Sequence, residues 1–116
     1  MIHYHAWFDL KEGESDVGFA DAIARYLGHL KDRGKIAGWR LTRRTLGLGP
    51  PQLPEFNLVI EAESLSQLDG ALLHVSSRAE PVESLHHAVN SRVRNLFFAL
   101  YRDFPDAHRV RGQERF

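Results

Sequence analysis

Apolar side chains recur at every second position over the first ten residues of the chain. Ile2, Tyr4, Ala6, Phe8 and Leu10 fall on one side, and His3, His5, Trp7 and Asp9 on the other. That period predicts a half-buried strand. The run KEGES breaks the alternation, and Ser15 or Asp16 is placed to cap a helix. Val17, Ala20, Ile23, Leu27 and Leu30 then return at steps of three and four, an amphipathic helix that Gly34 stops. Gly18 and Gly28 inside it each cost ~1 kcal/mol against alanine, so packing must supply its stability. Alternation resumes in KIAGWRLTRRTLG, where Ala37, Trp39 and Leu41 oppose Gly38, Arg40, Thr42 and Arg44. LGLGPPQLP cannot continue that strand, because consecutive prolines remove ladder donors, and it reads as a long hairpin loop. EFNLVIEAE follows as a third strand, with Phe56, Leu58 and Ile60 against Asn57, Val59 and Glu61.

Ser64 and Gln67 form a capping box ahead of Leu65, Leu68, Leu72 and Val75. After the break at SSRAEP, Pro81 suits the first turn of a further helix carrying Val82, Leu85 and Val89. NLFFALYRDF fits two periods. Leu96, Phe98 and Leu100 alternate against Phe97, Ala99 and Tyr101, yet Val89, Val93, Leu96 and Leu100 also make a helical stripe. Aromatic content and Pro105 just beyond favour the strand. The order is then β-α-β-β-α-β, with the second helical region broken in two. This predicts an α+β, ferredoxin-like domain over residues 1–105, one antiparallel sheet with its helices on one face. DAHRVRGQERF, residues 106–116, reads as a polar C-terminal tail.

Length and charge narrow the possible roles. At 116 residues the chain is one domain with room for a real core. Fifteen acidic residues balance fifteen Lys and Arg, so no overall field draws it to nucleic acid or an anionic membrane. The absence of cysteine removes disulfides, iron–sulfur ligation and thiol catalysis, and fits a reducing cytosol. No apolar run approaches the roughly 18 residues of a membrane span. MIHYHAWFDL carries no basic leader ahead of a long apolar stretch, so a cytoplasmic location is expected. RNA-recognition motifs share the topology but stack bases on aromatics of a basic third strand. Here that strand ends acidic and holds a single Phe on the core side, so no nucleic-acid partner is expected. LGLGPP lacks the Lys-Ser/Thr and the following helix of a phosphate loop.

The stretches FDLKEG, GWRLTRRTLGLGPP, LHHAVN and FALYRDFPD resemble a small uncharacterised family with the ferredoxin-like fold, close to the dimeric α/β-barrel proteins. The likeness covers nearly the whole chain. It implies a homodimer in which two sheets face each other, a dimeric α/β barrel. It implies no activity.

With the apolar sets committed to the helices, the opposite sheet face collects His3, His5, Trp7, Arg40, Thr42, Arg44, Asn57, Val59, Glu61, Phe97 and Tyr101. A mixed polar and aromatic surface suits a cavity where a few polar groups orient a mostly apolar guest. It also suits a polar dimer interface. In the cavity reading His3 or His5 is the acid–base group, since imidazole as a class titrates near neutral pH. Arg40 and Arg44 would grip a carboxylate, and Trp7 with Tyr101 would form apolar walls. His3 and His5 lie about 7 Å apart along one side of a strand. With Glu61 they could approach a metal, but a His-x-His pair needs a third ligand of proven proximity, and no metal or cofactor is assigned. His86 and Asn90 share a helix edge: either a core-edge histidine satisfied by a carbonyl, or a pair that reaches the sheet and completes the pocket. His29, His74 and His108 read as surface or tail residues. The expectation is a homodimeric small-molecule-binding protein for a small anionic or aromatic ligand, with a cofactor-independent enzyme within its range. The alternative is a non-catalytic dimerisation or protein-interaction module without a ligand cavity.

Overall fold

The computed structural model describes residues 1–106 and 108–112. In chain order it contains β1 (Ile2–Leu10), α1 (Asp16–Asp32), β2 (Gly38–Arg43), β3 (Phe56–Ala62), α2 (Leu65–Ser76), α3 (Val82–Asn90) and β4 (Val93–Arg102). The segment that fits two periods is extended. As β4 it pairs along β1, with Ile2 opposite Arg102 and Tyr4 opposite Leu100. A helix there would have left the second edge of β1 without a ladder partner. Of the tail expected over 106–116, residue 107 and residues 113–116 lie outside the described residues.

The sheet order is β2-β3-β1-β4, and every neighbouring pair is antiparallel. Two βαβ units therefore interleave, β1–α1–β2 stepping over β3 and β3–α2–α3–β4 stepping over β1. Register gathers the residues into rows across the sheet. Gly38, Glu61, His3 and Tyr101 form one row, Arg40, Val59, His5 and Ala99 the next, and Thr42, Asn57, Trp7 and Phe97 the third. All of these sit on the face away from the helices.

Capping follows the sequence closely. Ser15 Oγ accepts from the Gly18 N–H at 3.0 Å, and Ser64 Oγ from the Gln67 N–H at 3.1 Å. Gln67 answers by accepting from the Glu63 N–H at 2.7 Å, one residue ahead of the cap. Gly34, at φ 69°, takes the left-handed turn that ends α1. One position of the α1 stripe differs from expectation. Val17 is 68% exposed, while Phe19 is fully buried against Phe8 and Phe56, with ring centroids 5.3 and 6.4 Å away. Val17 lies in the first turn of α1, on the side turned to solvent. Phe19, Ile23, Leu27 and Val82 anchor the core between α1, α3 and the sheet.

Strand β4 departs from ordinary packing. Leu96, Phe98 and Leu100, on its helix side, are 38%, 54% and 55% exposed, and Phe97 and Tyr101 on its other side 40% and 58%. It is an edge strand that is apolar on both faces. At its start a bulge opposite Trp7 and Asp9 holds Asn95 at φ 55°. Asp9 fastens it: Oδ2 accepts from Asn95 Nδ2 at 3.0 Å, and Oδ1 from the Glu55 N–H at 2.9 Å. Those bonds, the one to Asn95 first, hold the Asp9 carboxyl below the usual carboxylate range.

Candidate functional site

The sheet face away from the helices carries a continuous row of rings. His5 and Trp7 stack at 5.2 Å between centroids with planes 12° apart, and Trp7 stacks on Phe97 at 5.4 Å and 19°. Tyr101 meets His5 edge-on at 5.2 Å. Asn57 Nδ2 donates to His5 Nδ1 at 3.3 Å, which leaves the proton of a neutral ring on Nε2. The structure thus brings His5, Trp7, Asn57 and Tyr101 together, with Thr42 alongside, its hydroxyl donating to the Asn57 carbonyl at 3.3 Å. Arg40 stands exposed beside Val59.

Two of the expected site residues are engaged differently. His3 lies in the row of Glu61 and Tyr101, but its Nε2 donates to Asp103 Oδ1 at 2.6 Å. Asp103 also pairs with the Met1 amino group at 3.4 Å, so these groups tie the chain start to the end of β4. The His3 hydrogen bond is the main cause that holds the Asp103 carboxyl below its ordinary range. Arg44 falls just past the end of β2, and its guanidinium donates to the carbonyls of Pro50, Leu53 and Pro54, clamping the β2–β3 loop. Arg43, on the helix side, pairs with Asp16 at 3.2 Å and Glu55 at 2.9 Å and lies over the Phe56 ring. Among the described residues, no three His, Asp or Glu side chains are grouped to hold a metal ion.

A cavity of about 160 Å³ lies on the other side of the sheet, between it and the helices. Tyr4, Ala6 and Phe8 of β1 and Leu58 and Ile60 of β3 form its floor. Phe19, Ile23 and Tyr26 of α1 and His86, Val89 and Asn90 of α3 form its roof. Leu72, Leu96 and Phe98, all substantially exposed, mark its open side. His86 and Asn90 therefore do reach a pocket, though on the helix side and apart from the ring row. His86 is partly buried, its ring 5.4 Å from that of Tyr26. Burial pushes its pKa down, and burial pushes that of Tyr26 up to about 12. Tyr4, also raised by burial, and Tyr26 are pocket residues that the sequence reading passed over. Their signal was there: a hydroxyl-tipped ring on an apolar stripe, in β1 and at the step after Ile23.

His29 and His74, expected at the surface, instead stack on each other between α1 and α2. Their centroids are 6.3 Å apart, and each buried Nε2 lacks a hydrogen-bond partner among the described residues.

A four-stranded antiparallel sheet in this order, with its helices on one face, is the ferredoxin-like fold. The chain belongs to a family of unknown function (DUF6614), whose profile matches residues 1–116. No curated protein matches it. Among solved structures it is similar to a crystal structure of an Arabidopsis thaliana protein, with TM-score 0.70 and 8% identity over 89% of this chain and 95% of that one. It is also similar to a dimeric ferredoxin-like protein of unknown function from a Jannaschia species, with TM-score 0.65 and 8% identity over 88% and 98%. A dimeric protein of unknown function with ferredoxin-like fold from Bacteroides fragilis matches at TM-score 0.53 and 8% identity over 88% and 95%. No helix among the described residues is long and apolar enough to cross a membrane.

Proposed function

We propose that this chain forms a homodimer through its open sheet faces, and that each protomer binds a small, mainly apolar molecule between its sheet and its helices. The observation that carries the reading is the cavity of about 160 Å³ lined by aliphatic and aromatic side chains with His86 and Asn90 among them. Apolar cavities of ~150 Å³ admit a benzene-sized guest. A few polar groups in an apolar wall are the ordinary makeup of a ligand site.

Exposed aromatic side chains support the dimer: Phe97 and Tyr101, on the open face, are 40% and 58% exposed. The row of His5, Trp7, Phe97 and Tyr101 is the aromatic, weakly charged surface that interface cores favour. The Jannaschia and Bacteroides fragilis proteins of the same fold are described as dimeric. In this arrangement Trp7, Thr42, Asn57 and Tyr101 line the contact between protomers, with Arg40 and Glu61 toward its rim.

Light scattering on the purified protein, together with a thermal melt in the presence of toluene, tests both halves separately. A dimeric mass and a melting temperature that climbs with toluene are expected. A monomeric mass overturns the dimer, and a melt unmoved by saturating toluene overturns the binding site.

A further inference from the structure

The polar groups of the cavity are few, and they choose among apolar guests. His86 enters from α3 with its ring against Tyr26, and Asn90 follows one turn later at the rim. Among the described residues, no Lys, Arg, Asp or Glu lines the space itself, and Arg78 and Glu83 lie around the opening next to it that shares His86 and Asn90. The His86 imidazole makes no hydrogen bond to any other described residue and its nitrogens are not fully buried, so a guest that enters can bond them in place of solvent.

We propose that the cavity takes a planar six-membered ring bearing one neutral hydroxyl, a phenol-type molecule whose O–H donates to His86. This rests on the small-molecule reading above and narrows it to a ligand class. An aromatic ring fits the volume and the flat walls that Phe8, Phe19 and Phe98 offer. A hydroxyl can replace the hydrogen bond that solvent offers the imidazole, and a toluene-like guest that displaces the solvent leaves it unmade. A carboxylate is disfavoured for the opposite reason: it would be stripped of water with no cation in the wall to meet it. This differs from the anionic ligand suggested by Arg40 and Arg44, which lie on the far side of the sheet. Burial keeps the imidazole neutral and accepting at pH 7, in keeping with a neutral donor.

The test titrates the full-length protein with phenol, toluene and benzoate, following methyl and imidazole resonances by NMR. Phenol is expected to bind about 5- to 10-fold more tightly than toluene, the worth of one buried hydrogen bond. Benzoate is expected not to bind in the cavity. In His86→Leu the phenol affinity should drop below that of toluene, because its O–H is then stripped of water without an acceptor, while toluene still binds, which also shows that the cavity has folded. Should that variant not fold, the wild-type His86 ring nitrogens provide the same test, since phenol should shift them and toluene should not. Equal affinities for phenol and toluene, an unmoved imidazole, or benzoate binding as well as phenol would each overturn the ligand class and leave the binding site standing. Failure of both phenol and toluene to bind would instead remove the small-molecule reading itself.

Discussion

Ala6→Leu fills the proposed cavity from below. Ala6 sits at the centre of β1, 7% exposed, as part of the cavity floor beneath α1 and α3. The substitution adds three carbons pointing into about 160 Å³ of space. At ~0.8 kcal/mol per buried carbon the gain is ~2.4 kcal/mol. Fixing the leucine rotamer costs ~0.5–1 kcal/mol. The balance, ~1.5 kcal/mol, should raise the melting temperature by ~6 °C for a domain of this size. The same side chain should abolish toluene binding. Stability up and binding down is the pattern expected only where empty space serves a ligand. Calorimetry on the variant and the parent, each with and without toluene, reads both quantities. In a fully packed interior the added carbons would cost ~1–3 kcal/mol through strain. A melting temperature lower by several degrees would therefore refute the cavity, and unchanged toluene binding would refute its use.

Trp7→Glu puts a charge into the ring row between His5 and Phe97. Removing an aromatic anchor from an interface centre costs ~2 kcal/mol or more, so the dimer dissociation constant should rise at least ~30-fold by sedimentation, and an intact dimer would count against sheet-to-sheet association. Asp9→Ala removes the acceptor for both Glu55 and Asn95, at a cost of ~1–3 kcal/mol. Amide exchange at Glu55 should speed up, and unaltered exchange would show that the carboxylate does not hold the loop end to the bulge. Stability should also fall on acidification. Burial holds the His86 pKa down, with Glu83 acting upward and His87 downward. The unfolded chain takes up that proton near pH ~6.5 and the folded chain only at lower pH. The contribution is therefore complete above ~6.5 and declines as the pH drops below it. Asp103 acts in the same direction, its contribution vanishing only below pH ~4. Urea melts at pH 7.5 and 5.5 should differ, and in His86→Leu the difference should shrink. Equal melts at both pH values for the parent would contradict a buried, neutral imidazole.

Periodicity exposed those parts of the fold that depend on one element at a time. Alternation from Ile2 to Leu10 identifies β1 and the sides of its residues, and Ser15 and Ser64 announce their helices through caps the chain does form. Within NLFFALYRDF the two-residue period also held from Leu96 to Tyr101, beyond the bulge. What resisted was everything set by pairs of elements. That His3 shares a row with both Glu61 and Tyr101 follows from strand register, but that its proton goes to Asp103 depends on where the chain turns after β4. Arg44 has the parity of the open face, yet one residue past the strand end it is captured by loop carbonyls. The cavity is hardest to foresee. It arises where small Ala6 faces the helix layer among the rings of Tyr4, Phe19, Tyr26 and Phe98, a matter of side-chain volumes across layers. The sequence could point to His86 and Asn90 as a pair at a helix edge, but not to the space beneath them.

The most direct measurement is a toluene titration of methyl-labelled protein, because the two sheet faces carry different methyl groups. Saturable shifts are expected at Val75, Val89 and Leu96, which line the space under the helices. Val59 and Ala99, in the open-face row of His5, should stay still. Shifts confined to Val59 and Ala99, or none at any toluene concentration, would mean that the helix-side cavity is not where this protein receives a ligand.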